Sequence, residues 1–415
     1  MKKAIKSLAL LSLLTSSTAF AAPIGFVIMR VYIPENGDIS KVVLPNLTFE
    51  FTDGTTKEVP PCANPKEVTP ELVNTLLVNR QPDCGWAVGV NTTRLLDPNV
   101  AFPDTSASYW ATSFMPNDKL KKIVINGTYP NTRYLSFNTY DAKGSAFEQT
   151  IDGITYKSSI PDYKINPNAG FINPWQQPAL AGGKYTVHIV RNPKTDAPLT
   201  ANTLVMPPAI EGSLLTLLTQ MPEVKNCNPT CYPINFFKPS KATASGAFPN
   251  SDSAYLMSMV KPKVDNVFVI RGKLPRVTAG DTPSTWPVDK QLRYFSICNN
   301  RLMKPYPVVE GACLRDDELK LDANNYYTIV VSHIKPVLHK HDWLPFSSLF
   351  PLQDHALLVR NMVSNPNFTQ ATLNIKDETN NWKIARDTMG EYYPTIKQCS
   401  RLDYALKGSG CKAIN

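Results

Sequence analysis

Long apolar segments and blocks of like charge are both missing from the chain after its first 21 residues. A membrane-spanning helix needs about 20 consecutive apolar residues, and no later stretch approaches that length. Basic tails that bind nucleic acids carry blocks of about five or six like charges. The Lys and Arg residues behind the net charge of +9 are scattered instead. We therefore expect neither a transmembrane span nor a nucleic-acid partner.

The commonest hydrolase signatures are also missing, since the chain contains no G-x-S-x-G elbow and no H-E-x-x-H pair. Other triads stay open, with Ser136 or Ser296 as nucleophile, although serine on the polar face of a strand is ordinary. Paired carboxylates for glycoside hydrolysis stay open as well, because Asp141, Asp152 and Asp162 share one turn-rich segment. Turns use aspartate for backbone reasons far more often, so the sequence identifies no catalytic residue.

Glycine is scarce relative to proline, with 19 Gly against 36 Pro spread along the chain. Proline interrupts helix interiors and suits turns and strand edges. Short β-branched and aromatic segments bounded by turn residues recur throughout. These features predict an all-β (β-rich) fold with a few short helices, one of them at 69–77.

The N-terminus has the pattern of a bacterial signal peptide over residues 1–21. Lys2, Lys3 and Lys6 precede the apolar run Leu8–Leu14, and Ala19-Phe20-Ala21 supplies a small-x-small cleavage site. No cysteine lies at that site, which argues against a lipid anchor. We expect an exported protein that is periplasmic or secreted.

The cysteines are even in number and fall into couples of sequence neighbours. The couples are Cys62 and Cys84, Cys227 and Cys231, Cys298 and Cys313, and Cys399 and Cys411. An oxidising compartment favours disulfides, and we expect the neighbours to pair, although eight cysteines allow 105 connectivities. The alternative for Cys227 and Cys231 is half of a zinc site.

The middle of the chain is a duplication. The landmarks of the first copy are Tyr109, Pro116, Val124–Gly127, Arg133–Ser136 and Tyr185–Val190. They return in the same order as Tyr255, Pro262, Val269–Gly272, Arg293–Ser296 and Tyr327–Val331. Strand-like segments persist while the connections change length, as surface loops do. We expect two duplicated β-sandwich or jelly-roll-like halves that pack together.

The closing segment of the second copy has two matches elsewhere in the chain. Leu357, Leu358 and Pro366 are matched by Leu214, Leu215 and Pro222, and more weakly by the run Val27–Arg30. The resulting division has six parts: a signal peptide (1–21), an N-terminal region of strands and a disulfide-stapled helix (22–105), repeat 1 (106–222), a Cys/Pro-rich linker (223–254), repeat 2 (255–370) and a disulfide-pinned tail (371–415).

Several of these segments carry a resemblance to a known family. At Arg133–Asp141, Ile160–Asp162, Asn173-Pro174, Asp342–Pro345 and Leu358–Asn361, the chain resembles an uncharacterised family of exported bacterial β-sandwich proteins of unknown function. The resemblance covers about residues 109–366 and implies a β-sandwich fold. It implies no activity, cofactor or partner. Copy two departs from the pattern at Ile297–Asn300.

Four of the five histidines fall together, at His333, His339, His341 and His355. A His-x-His pair on a strand points both imidazoles to one face, which suits a divalent metal if a third ligand arrives. The candidate metal site is therefore His339, His341 and His355. The alternative is a solvated loop, because Lys335, Pro336 and Lys340 are interleaved with the histidines.

Loop aromatics supply the candidate ligand-binding residues. They are Tyr140, Asp141, Tyr163 and Trp175 in the first copy and Trp286 in the inserted loop of the second. Exposed aromatic rings offer flat apolar surface with a polar tip, although many aromatics in a β-sandwich belong to the core.

Taken together, these patterns favour an exported binding or interaction protein that recognises an extracellular or envelope glycan, lipid or protein. The alternative function is a hydrolase or metal-dependent enzyme that uses the region of His339, His341 and His355. No cofactor is expected apart from that divalent metal.

Overall fold

A computed structural model describes residues 22–32, 41–62, 84–86, 104–176, 183–197, 202–212, 234–239, 248–278, 289–302, 307–376 and 381–414. Antiparallel sheets dominate it, as the sequence predicts, and the helices are few and short. No helix among the described residues is long and apolar enough to cross a membrane. The predicted signal peptide and the predicted helix at 69–77 lie outside the described residues.

The first half is a two-sheet sandwich. Its strands are β1 (Ala22–Pro23), β2 (Gly25–Tyr32), β3 (Asn46–Phe51), β4 (Thr56–Val59), β5 (Ala107–Phe114), β6 (Leu120–Thr128), β7 (Tyr134–Tyr140), β8 (Glu148–Ile151), β9 (Ile154–Lys157), β10 (Ser159–Pro161), β11 (Lys184–Val190), β12 (Thr203–Val205) and β13 (Glu211–Gly212). One sheet has the order β10-β7-β2-β5 and the other β12-β11-β6-β3-β4, while β1–β13 and β8–β9 form separate ribbons. A short helix, α1 (Pro193–Asp196), follows β11.

The second half repeats this plan. Its strands are β14 (Ser253–Val260), β15 (Asn266–Lys273), β16 (Leu292–Leu302), β17 (Pro307–Val309), β18 (Leu314–Arg315), β19 (Tyr326–Ser332), β20 (Asp342–Pro345), β21 (His355–Ser364) and β22 (Thr395–Ser400). One sheet has the order β14-β21-β16-β17 with β18 also paired to β16, and the other has the order β20-β19-β15-β22. Helices α2 (Trp382–Met389) and α3 (Arg401–Lys407) flank β22.

The duplication is permuted at its closing strand. In the second half, β21 lies between β14 and β16, and in the first half β2 holds the same place between β5 and β7. Arg30 of β2 is paired with Tyr109 and Ser136. Arg360 of β21 is paired with the equivalent Tyr255 and Ser296. The weaker sequence match to the closing segment, the run Val27–Arg30, therefore occupies the equivalent place in the fold. The stronger match, at 214–222, lies outside the described residues.

This permutation moves the structural boundaries away from the predicted ones. Strands β2, β3 and β4 belong to the first sandwich although they precede residue 106. Strand β22 belongs to the second although it follows residue 370. Phe236 of the predicted linker is buried in the second core, and Phe237 bridges to Met257. The central strand of a sheet can come from any part of the chain. The order of the repeats along the sequence therefore does not reveal which strand completes each sheet.

Two glycines at equivalent positions in the two copies show that the repeated residues have a structural role. Gly127 lies opposite Tyr185 on the neighbouring strand, and Gly272 lies opposite Tyr327. A Cβ atom at either glycine would collide with the hydroxyl of that tyrosine. Both tyrosines are buried in their own sandwich core. The shared residues of the two copies therefore secure sheet packing.

Three of the predicted disulfides are present, joining Cys62 to Cys84, Cys298 to Cys313 and Cys399 to Cys411. Neighbour pairing is confirmed for these six cysteines. The fourth couple, Cys227 and Cys231, lies outside the described residues.

Candidate functional site

The polar face of the repeated Arg-Tyr strand is turned toward the other half, and not toward solvent. Along β7, Leu135 and Phe137 enter the first core, while Tyr134 packs with Tyr294 and Met362 of the second half. Every residue of β7 and of β16 is buried. The two sandwiches therefore meet through the outer faces of two of their sheets.

Two reciprocal ion pairs cross this interface. Arg133 Nη2 donates to both carboxylate oxygens of Asp316 at 3.0 Å, and Arg293 Nη1 donates to Asp162 Oδ1 at 2.6 Å. Each aspartate also accepts a backbone N–H from its own half, at 2.8 Å from Leu135 and 2.9 Å from Phe295. Burial raises the pKa of both aspartates to about 6 against the opposing pull of the arginines.

The equivalent arginines Arg360 and Arg30 have different hydrogen-bond partners in the two halves. Asp104 accepts from Tyr294 at 2.9 Å and from Ser296 at 2.6 Å, and it also binds Arg360. The equivalent arginine of the first half, Arg30, donates instead to the carbonyl of Phe248. Ser296 is thus a buried interface residue, and the same strand position in the first half, Ser136, accepts from the Asn138 amide. Both serines are fully buried, and among the described residues neither has the base and open face that a nucleophile needs.

The predicted loop residues that the structure describes do not assemble into one exposed surface. Tyr140 is buried and donates to the Pro249 carbonyl at 2.7 Å. Asp141 accepts backbone N–H groups of its own turn, from Lys143 at 2.8 Å and from Ser145 at 2.9 Å.

The other members of that set are divided among different environments. Trp175 is 2% exposed and belongs to the first core, where its ring lies 5.9 Å from that of Tyr129. Tyr163 is half-buried at the interface, with Arg293 5.4 Å above its ring. Trp286 lies outside the described residues. The sequence left both an exposed and a core position open for these aromatics, and the structure places Tyr140 and Trp175 in buried positions.

The structure separates the three candidate metal ligands. His339 and His341 are stacked at 5.8 Å between ring centroids beside α3, whereas His355 is fully buried and bonded through Nδ1 to Asn299 Oδ1 at 3.0 Å. Among the described residues, the one trio of His, Cys or carboxylate ligand atoms within 4.8 Å is Asp104, Cys298 and Cys313. Those two cysteines form a disulfide.

A shallow cationic cleft lies beside the His339–His341 pair. It has a volume of about 230 Å³ and is lined by Arg271, Lys320, Lys340 and His341, among others. His341 Nδ1 is hydrogen-bonded to the Tyr404 hydroxyl at 2.8 Å, and this bond fixes the ring against α3. Burial and the nearby His339, Arg271 and Lys320 lower the pKa of His341.

Two loops at one end of the second sandwich expose apolar side chains, and we call residues 333–341 and 346–354 the tip loops. The side chains between 45% and 89% exposed in them are Ile334, Val337, Leu338, Leu349, Phe350 and Leu352. Parallel pairing of β19 and β20 puts both loops at the same end of the sheet. His333 joins them, because its ring lies 5.3 Å from that of Phe346 and contacts the Pro351 backbone.

In the described part of the equivalent connection, residues 191–197, the first copy exposes no large apolar side chain. The chain leaves β11 as Arg191-Asn192-Pro193-Lys194-Thr195-Asp196 and forms α1, capped by the Asn192 side chain. The sandwich plan therefore does not require apolar residues there. Sequence reasoning singled out the histidines of the second copy and missed the neighbouring run Ile334-Lys335-Pro336-Val337-Leu338. A strong apolar run that contains proline and follows a complete strand was the available signal.

The comparisons with known proteins add little to this geometry. No protein-family model matches the sequence, and no curated protein is similar to it. The chain is similar to an uncharacterised protein from Burkholderia cenocepacia, with 8% identity, a TM-score of 0.44 and coverage of 82% of this chain and 92% of that one. It is also similar to the VPA0106 protein from Vibrio parahaemolyticus, with 17% identity, a TM-score of 0.23 and coverage of 38% of this chain and 34% of that one. At these scores neither likeness carries a conclusion about ligand or reaction.

Proposed function

We propose that this protein is an exported binding protein that docks on an anionic phospholipid surface through the tip loops. The observation that carries this proposal is the group of six exposed apolar side chains on two adjoining loops. Scattered exposed apolar residues are ordinary, but six of them on two loops that contact each other through His333, Phe346 and Pro351 support an interaction surface.

Charge favours an anionic lipid as the partner. Lys335 and Lys340 are exposed within the first tip loop, and no acidic residue stands between them. A lysine near an anionic bilayer contributes about 1 kcal/mol, and full burial of a Val or Leu side chain contributes roughly 1.5–3 kcal/mol. Insertion of Val337 and Leu338 together with the attraction of the lysines therefore favours binding to lipid over solvent.

The hydrolase or metal-enzyme alternative has less support. His355 is sealed in the second core, while His339 and His341 are bonded to α3. An enzyme that used all three would need them around one open position.

Vesicle co-sedimentation tests the proposal with a matched control. The protein should bind vesicles made of equal parts phosphatidylglycerol and phosphatidylcholine. It should bind far less to vesicles of phosphatidylcholine alone, and binding to the mixed vesicles should weaken in high salt. Val337→Ser/Leu338→Ser should weaken binding about a hundredfold, since each lost contact is worth about tenfold or more. Val43→Ser, at a residue 73% exposed outside the tip loops, should leave binding unchanged. Equal binding by the wild type and by Val337→Ser/Leu338→Ser would refute the proposal.

A further inference from the structure

The cationic cleft beside the tip loops has the size and charge of a site for one small anionic group. Its volume of about 230 Å³ is large enough for a phosphate group. Three basic side chains line it, namely Arg271, Lys320 and Lys340, together with the carboxylate of Asp322.

That carboxylate is already engaged by the protein. Asp322 accepts the backbone N–H groups of Asn324 at 2.9 Å and Tyr326 at 3.0 Å, and it pairs with Arg271 Nη2 at 2.5 Å. These hydrogen bonds lower its pKa, so it stays ionised and holds the guanidinium in place. Asp322 therefore acts as a support for Arg271 and leaves the lysines available.

The two lysines are weakly held or free. Lys320 Nζ lies 3.3 Å from Asp342 Oδ1, but its side chain is 66% exposed, and exposed pairs are worth little. Lys340 is exposed, and within the described part of the chain no carboxylate lies within 4.0 Å of its ammonium group. An incoming anion can thus recruit the Lys340 ammonium group directly, while Lys320 would turn toward it from the buried carboxylate of Asp342.

The first copy provides an internal comparison for this cleft. Arg271 Nη1 donates to Thr328 Oγ1 at 3.1 Å across β15 and β19. The equivalent pair on β6 and β11 is Asn126 and Thr186, joined at 2.9 Å. In the first copy the neutral amide of Asn126 makes the equivalent hydrogen bond with the threonine, so the sandwich does not require the positive charge of Arg271.

We propose that this cleft binds a phosphoryl group, and that during docking the group is the phosphate of a phospholipid head. Arg271 and the two lysines would donate to its oxygens, as cationic side chains do in charge-assisted phosphate contacts. The proposal rests on the proposed docking function only for the source of the phosphate. Lys340 belongs to both the cleft and the first tip loop, which places the anion next to the inserting side chains.

The first arm of the test uses soluble probes. The His341 ring is followed by NMR while inorganic phosphate or glycerol 3-phosphate is added at constant ionic strength, with chloride as the control salt. Saturable shifts should appear with both phosphates, and a bound anion should raise the pKa of His341. Arg271→Asn, which restores the pair found in the first copy, and Lys320→Gln/Lys340→Gln should each weaken binding at least tenfold. Lys263→Gln, an exposed lysine outside the cleft, should leave it unchanged.

The second arm separates the cleft from the docking surface. Val337→Ser/Leu338→Ser should retain phosphate binding while its vesicle binding weakens about a hundredfold. Phosphate binding without vesicle binding in the wild type would support the cleft and reject the docking function. Two results would overturn the phosphate site and leave docking intact. One is vesicle binding by a wild type that shows no saturable shift with phosphate. The other is a shift that persists in the triple variant Arg271→Asn/Lys320→Gln/Lys340→Gln.

Discussion

At the scale of single residues, His355 is held neutral by its surroundings. It is fully buried, and burial, with smaller effects from Arg301 and His333, lowers its pKa to about 3. The folded pKa lies below the unfolded value of about 6.5, so the unfolded chain takes up this proton first. Stability from this group is therefore present above about pH 6.5 and is lost as the pH falls toward 3.

A titration of unfolding tests this assignment. In wild type, lowering the pH from 7 to 4.5 should remove up to about 2–3 kcal/mol through His355. His355→Gln, which can still bond to Asn299, should lack that share of the acid sensitivity. Urea unfolding at both pH values measures the difference. A variant with the same pH dependence as wild type would contradict the neutral assignment.

At the scale of structural elements, the reciprocal ion pairs fix β7 and β16 against the opposite half. Breaking one by Asp316→Ala leaves Arg133 and the Phe295 N–H buried without the side-chain oxygens that accept their hydrogen bonds, and we expect a loss of about 3–5 kcal/mol. Arg133→Met/Asp316→Leu removes both charges and should cost less. Glu148→Gln breaks an exposed pair with Lys157 and should change stability by less than about 1 kcal/mol in the same urea unfolding. A double variant no more stable than Asp316→Ala would contradict this account.

The same pairs carry a pH dependence opposite in sign to that of His355. Asp162 and Asp316 have pKa values raised to about 6, above the unfolded value of about 3.9, so the folded state binds these protons more tightly. Their contribution to stability is complete below about pH 4 and is lost as the pH rises through 6. Acid therefore weakens the second core at His355 without opening the interface through these carboxylates.

At the scale of the whole molecule, one disulfide couples the two halves. Cys298–Cys313 lies in the second half, yet the Cys313 N–H donates to Thr105 Oγ1 of the first at 2.8 Å. The loop it closes ends three residues before Asp316. Loss of this bond should therefore loosen the interface as well as the second sandwich.

Calorimetry of paired cysteine variants measures this coupling. Cys298→Ala/Cys313→Ala should cost about 2–4 kcal/mol and split unfolding into separate transitions for the two halves. Cys399→Ala/Cys411→Ala, in the tail and distant from the interface residues named above, should lower stability while keeping the halves coupled. Splitting in both variants, or in neither, would contradict a special role for the interface disulfide.

Much of the fold was predictable from the sequence, because it follows from local patterns. Alternation along Tyr134–Tyr140 identifies the core face, and neighbouring cysteines identify three disulfides. The burial of Tyr140 was not predictable, since nothing in its own strand indicates that its ring packs against Phe248 and that its hydroxyl donates to the Pro249 carbonyl. The same limit applies to the histidines, because four that are close in sequence are divided by the sheet between a sealed core and a surface.

The permuted closing strand bears on how the chain assembles as it is made. Synthesis delivers the N-terminus first, so β2 is present when β5 and β7 appear, and the first sandwich can close early. The second must wait for β21 and β22, near the end of the chain. During that interval the finished half exposes a face that carries Arg30, Arg133 and Asp104 beside its tyrosines. Those charges, later buried, keep the waiting surface hydrated and poorly suited to premature self-association.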